Sequence, residues 1–198
     1  MLFRNAPLQV YRRSKCQDSS CSYDEQDERC LWLKLILKQQ IILFIESGIS
    51  VFYTGMEQGA DLWCSQIVIE SKKQYPHIRL HAILPYTSQI DRWPPSQRTR
   101  YFEILSACDE TVILQGDYTP TCMFERNRYL IDHAAYLLAV YDGSARDGTG
   151  YTIRYARKQK REIIFIHSDT LEVSSTVNFA ALERRKQFRI LFGKRLDK

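Results

Sequence analysis

The stretch AVYDGSARDGTGYTIRYARK, Ala139 to Lys158, decides how the chain is read. An apolar run stops at Tyr141, a loop with three glycines follows (Gly143, Gly148, Gly150), and from Thr152 the pattern is that of a helix with its basic residues outward. The chain has only eight glycines, so three in one loop need a reason. Gly148, Thr149 and Gly150 would set N–H groups and a hydroxyl at a helix N-terminus, where the helix dipole and the unpaired donors favour a phosphate. A second reading stands beside it: Asp142-Gly143 and Asp147-Gly148 as simple turns, with Thr149 as an N-cap. Neither G-x-G-x-x-G nor Walker A spacing is present.

Working outward from this loop, helical and strand-like segments alternate. Glu28 to Ser47 reads as a helix, SVFYTG as a short strand ending in Gly55, Ala60 to Gln74 as a helix, and IRLHAILP as a buried strand that Pro85 stops. A helix opening at Pro95 or Ser96 runs through Ala107. It is followed by the strand ETVIL, a helix from Phe124 to His133, the strand AYLLAV, a helix from Gly150 to Lys160 and the strand EIIFIH. Such alternation predicts an α/β fold, a parallel sheet with helices on both faces. Ligands of such sheets lie at the carboxyl ends of the strands, so the loops after Tyr53, Leu84, Leu114 and Tyr141 are the ones to inspect.

The loop after Tyr53 is YTGMEQGADLW. Gly55 ends the strand and Gly59 precedes the helix, where a missing side chain lets a ligand or a neighbouring strand approach the backbone. Asp61 falls in the first helical turn. In YTPTCMFERNRYLIDHAAYLLAVYDG, Arg126 and Asn127 fall in the first turns of a helix. Arg126 could clamp a phosphate and Asn127 bond a sugar or base edge. Equally, Glu125 and Asp132 could pair with Arg126 and Arg128 as surface salt bridges. Trp93, in DRWPP, is expected to pack against the domain rather than stack on a base.

These residues carry a resemblance. The segments from Ser47 to Tyr86, from Tyr118 to Gly143 and from Gly148 to Ile166 together resemble the YpsA-like family of the SLOG superfamily. Members of that superfamily are Rossmann-like proteins similar to the DNA-processing protein DprA and to the LOG enzymes that activate cytokinins. The resemblance spans about Tyr23 to His167. It implies a nucleotide, NAD or ADP-ribose-like ligand. By position, Gly55, Gly59 and Asp61 match one motif, Arg126 and Asn127 a second, and Asp142, Gly148, Thr149, Gly150 and Tyr151 a third; Met56 and Gly143 lie within the same turns. The LOG pattern Pro-Gly-Gly-x-Gly-Thr followed by Glu is absent, and Asp61, Asp142 and Asp147 are the nearby carboxylates that could replace it.

The start departs from the family. MLFRNAPLQVYRRSKCQDSSCS, residues 1–22, reads neither as a convincing strand nor as the Thr-Gly-His-Arg-Pro-like turn expected there. The first strand is therefore expected to be degenerate, with an open slot beside VFYTG. LQVYRRSKC can be encoded so that a neighbouring reading frame gives Thr-Gly-Ile-Ser-Pro-Phe-Lys-Met-Pro, which suggests a frameshifted remnant. Residues 23–170 are expected to form the Rossmann-like domain, and 171–198 a basic, helical tail.

Composition sets limits on this reading. At 198 residues and 44% hydrophobic, the chain suits one globular domain. Six cysteines (Cys16, Cys21, Cys30, Cys64, Cys108, Cys122) form no CxxC pair, and no signal-peptide pattern precedes them, so reduced thiols in a cytoplasmic protein are expected. His77, His81, His133 and His167 lack ligand spacing, so no metal site is expected. CLWLKLILKQQIILFIE is interrupted by Lys34, Lys38, Gln39 and Gln40, which predicts an amphipathic helix rather than a membrane span. The net charge of +5 owes much to the residues beyond Asn178. Three functions follow: a sensor or regulatory module binding a nucleotide-derived ligand, a nucleoside-monophosphate N-glycosidase, and a single-stranded DNA binder, which needs a basic groove with stacking aromatics. The first is favoured, because no nucleophile, base and orienter set is evident. A homo-oligomer is compatible with all three.

Overall fold

The computed structural model describes residues 8–12, 25–143 and 148–182. In chain order they form β1 (Leu8–Arg12), α1 (Glu28–Glu46), β2 (Val51–Thr54), α2 (Ala60–Ser71), β3 (Arg79–Tyr86), α3 (Pro95–Ser106), β4 (Glu110–Gln115), α4 (Cys122–His133), β5 (Tyr136–Tyr141), α5 (Gly148–Lys158), β6 (Glu162–His167) and β7 (Val173–Ser175). One seven-stranded sheet runs β4-β3-β2-β1-β5-β6-β7. All pairs are parallel except β6 with β7. From β1 the chain builds outward through β2, β3 and β4, then α4 carries it back across to β5 on the other side of β1. This reversal is the doubly wound, Rossmann-like arrangement, in which ligands bind at the carboxyl ends of the strands beside the switch point, here β1, β2 and β5.

The elements follow from local chemistry. Asp27 caps α1 by accepting the Arg29 N–H at 2.9 Å. Proline at the first position of α3 loses no hydrogen bond that the helix would have made. Residues 136–140 of β5 are all buried, as expected of a strand covered on both faces. On one face α1 and α2 pack Leu37, Ile41, Phe44, Trp63 and Val68 against Phe52, Leu80, Leu138 and Ile164, and α3 continues that layer through Tyr101 and Ile104. On the other face Ile131 of α4 and Ile153 and Ala156 of α5 cover Leu137, Ala139 and Ile163. Trp93 is packed as expected, edge-on to Tyr101 with ring centroids 5.7 Å apart. No described helix is long and apolar enough to cross a membrane.

Three expectations are corrected. The slot beside β2 is filled: Leu8–Arg12 lies at the centre of the sheet, in register with Phe52 to Thr54 on one side and Tyr136 to Val140 on the other. LQVYR lacks the continuous apolar run of a central parallel strand, so its pattern hid it, while two flanking strands supply backbone partners whatever the side chains. The turn after β1, residues 13–24, lies outside the described residues. Next, 171–182 does not begin as a helix. β7 pairs antiparallel with β6, and the Thr176 hydroxyl accepts the Ile163 N–H at 2.7 Å, extending the sheet through a β-branched segment. Residues 183–198 lie outside the described residues. Finally, α1 is less amphipathic than its polar interruptions imply, because Leu31, Trp32, Leu35 and Leu43 are exposed on it.

Candidate functional site

Thr54 ends β2 with its side chain buried, and its hydroxyl accepts the Met56 N–H at 3.1 Å. This turns the chain sharply. Met56 takes φ +56° although it carries a side chain, and Gly59 follows at φ +84° before α2 begins. Left-handed backbone at a buried methionine costs energy and marks a constrained turn. Gln89, from the loop after β3, donates to the Met56 carbonyl at 3.0 Å and holds the turn down.

Arg126 is the centre of the site. Its side chain is 2% exposed. Nη1 donates to the Gly55 carbonyl at 2.7 Å and to Glu57 Oε1 at 3.1 Å, and Nε donates to Asn127 Oδ1 at 3.1 Å. Its ion pair thus runs to Glu57 across the fold, not to Glu125 or Asp132. The same contact explains Gly55: a Cβ there would lie 2.9 Å from Arg126 Nη1. The group that approaches this glycine is the Arg126 guanidinium. Arg126 is therefore committed inside the protein and sits in the second turn of α4, which begins at Cys122 rather than Phe124.

Asn127 continues the network. Its Nδ2 donates to Thr152 Oγ1 at 3.0 Å, and that hydroxyl donates to the Gly148 carbonyl at 2.9 Å. Three separate loops are so joined: the turn 55–59, the start of α4 and the start of α5. α5 begins at Gly148, which places Thr149 inside its first turn instead of at the N-cap. The Thr149 hydroxyl is fully buried and has no hydrogen-bond partner among the described residues. A buried hydroxyl without a partner costs about 1–3 kcal/mol.

Asp61, in the first turn of α2, is 1% exposed. Its Oδ2 accepts the Glu57 N–H at 3.3 Å. Burial pushes its carboxyl up to about 7, against the opposing pull of the Arg126 charge and of the Glu57 and Gly55 N–H groups.

Not every expected residue joins this cluster. Asp142 is half-buried at the end of β5, and Gly143 is exposed at φ +88° with open space where a Cβ would stand, as a turn glycine. Tyr151 points the other way: its hydroxyl accepts from Arg128 Nε at 2.6 Å and its ring meets Phe124 edge-on. Glu57 and Gln89 were not singled out from sequence. Glu57 carried one usable signal, a carboxylate inside a glycine turn.

Comparison with known proteins agrees with this architecture. The profile of the YspA SLOG family (YpsA) matches residues 18–171. A UPF0398 protein of Halalkalibacterium halodurans is 29% identical over 133 residues, 66% of this chain and 70% of its own length. The uncharacterised SPbeta prophage-derived protein YoqJ of Bacillus subtilis is 33% identical over 144 residues, 63% of this chain and 82% of its own. UPF0398 protein YpsA of Bacillus subtilis is 25% identical over 157 residues, 76% and 87%. Among solved structures, DNA processing protein A from Helicobacter pylori, described for its single-stranded DNA binding mode, superposes with a TM-score of 0.54 at 11% identity. It covers 92% of this chain and 73% of that one, a likeness of fold. A sheet with its switch point at β1, glycine turns leaving β2 and β5, and a matching profile over most of the chain lead to one conclusion: this protein belongs to the YpsA family of SLOG proteins.

Proposed function

We propose that the protein binds a phosphorylated, nucleotide-type ligand such as ADP-ribose at the carboxyl edge of the sheet, as a sensor or regulatory module. The observation that carries this is the buried Thr149 hydroxyl in the first turn of α5, which has no hydrogen-bond partner among the described residues. An α-helix leaves the N–H groups of its first turn without partners within the helix, and a phosphate there would meet both those donors and the dipole. Arg126 serves as fixed positive charge and as the tie between loops, not as a free clamp. The turn 55–59 forms the opposite wall. The N-glycosidase reading has one observation in its favour: Glu57 stands beside Asp61, whose carboxyl is raised to about 7.

Thr149→Val tests the reading because it keeps the shape and removes the hydroxyl. The ligand-free variant should gain about 1 kcal/mol in denaturant unfolding, since a buried unsatisfied group is gone. Its affinity for ADP-ribose in calorimetry should fall about fivefold or more. Unchanged affinity with increased stability would remove Thr149 from the site.

A further inference from the structure

A second feature lies away from the carboxyl edge, on the outer surface of α4 and α5. A groove of about 540 Å³ is lined by Arg128, Tyr151, Arg154, Tyr155, Lys158 and Gln159. Tyr151 and Tyr155 are half-buried, with rings 5° from parallel and centroids 6.5 Å apart. The Arg128 guanidinium stands 5.8 and 5.9 Å from the two ring centroids and holds the Tyr151 hydroxyl. Asp132 accepts the Tyr155 hydroxyl at 3.0 Å, so both rings are fixed by bonds at their rims. Arg128, Arg154 and Lys158 are exposed.

The helix arranges these groups as two rows. Tyr151 and Tyr155 are four residues apart, as are Arg154 and Lys158, so each row repeats at about 6 Å along the axis. One row offers flat π surface and the other positive charge. An extended single strand of nucleic acid carries the complementary pair of rows, bases on one side and phosphates on the other, at a comparable repeat. An acidic peptide would satisfy the charges but not the paired rings. We infer that this groove binds single-stranded nucleic acid, its bases stacking on Tyr151 and Tyr155 and its phosphates meeting Arg128, Arg154 and Lys158. The site is separate from the nucleotide site proposed above and stands without it.

Fluorescence anisotropy of the full chain with a labelled oligothymidylate tests the inference. The wild type should bind, with affinity falling as salt rises. Arg154→Glu combined with Lys158→Glu should weaken binding at least tenfold, whereas Lys38→Glu, half that charge change on α1 across the sheet, should leave it nearly unchanged. Tyr155→Leu should lose about fivefold or more while Tyr155→Phe retains binding, because the ring and not the hydroxyl stacks. The inference is overturned by no binding to the wild type, by equal losses from Lys38→Glu, or by full binding in Tyr155→Leu. Displacement of the oligonucleotide by polyglutamate as readily as by unlabelled oligothymidylate would make the groove an acidic-peptide surface and also overturn it.

Discussion

Replacing Asp61 by asparagine should change how stability depends on pH. The Asp61 carboxyl is raised from 3.8 to about 7, chiefly by burial. A carboxyl raised on folding favours the protonated form. Below pH about 4 it is protonated in both folded and unfolded chains and costs nothing. As pH climbs from about 4 to about 7 the unfolded chain ionises first and the fold loses stability; above about 7 the loss is complete. At about 1.4 kcal/mol per pH unit the full loss is on the order of 4 kcal/mol, a large share of the stability of a domain this size. Asparagine cannot ionise, and its side-chain oxygen can still accept the Glu57 N–H. Urea unfolding of both proteins between pH 4 and pH 8 measures the difference. The wild type should lose about 4 kcal/mol more than Asp61→Asn across that range. Parallel pH curves for the two proteins would refute a buried, ionising Asp61.

Gly55→Ala should destabilise the fold by about 1–3 kcal/mol, seen as a lower denaturation midpoint, because its Cβ would stand 2.9 Å from Arg126 Nη1. Asp109 has the opposite sign from Asp61: burial opposes ionisation, yet Lys72, the Leu80 N–H and Arg79 outweigh it and hold the carboxyl at about 2. Its stabilisation is therefore present above pH about 4 and is lost as pH falls toward 2, so Asp109→Asn should be destabilising at pH 7 and nearly neutral near pH 2 by urea unfolding. The central place of β1 counts against the structural half of the frameshift reading, and the gene decides the rest: codons giving no Thr-Gly turn in a neighbouring frame would end it.

Most of the sheet could be read in advance because strands such as AYLLAV and EIIFIH are buried on both faces and carry no helical period. β1 could not, since Gln9, Tyr11 and Arg12 break the apolar run and its position is fixed by neighbours distant in sequence. The short antiparallel β7 was hidden by basic residues further along, which coloured the whole segment as a tail. In the site, the glycine turns were legible as turns, and Gly59 and Gly143 do take positive φ. The role of Arg126 was not. Its partner, the Gly55 carbonyl, lies 71 residues away, and an arginine reaching inward looks the same in sequence as one reaching into solvent. Tyr151 likewise reads in sequence as part of the glycine loop, yet the pitch of α5 turns it outward toward Arg128.

The most direct test of the central claim is a crystal structure of the protein grown with ADP-ribose. A phosphate of the ligand should lie against the backbone of 148–151, within hydrogen-bonding distance of the Thr149 hydroxyl, with the turn 55–59 facing it. ADP-ribose bound elsewhere, or no bound ligand at a concentration well above that giving a thermal shift, would contradict the account.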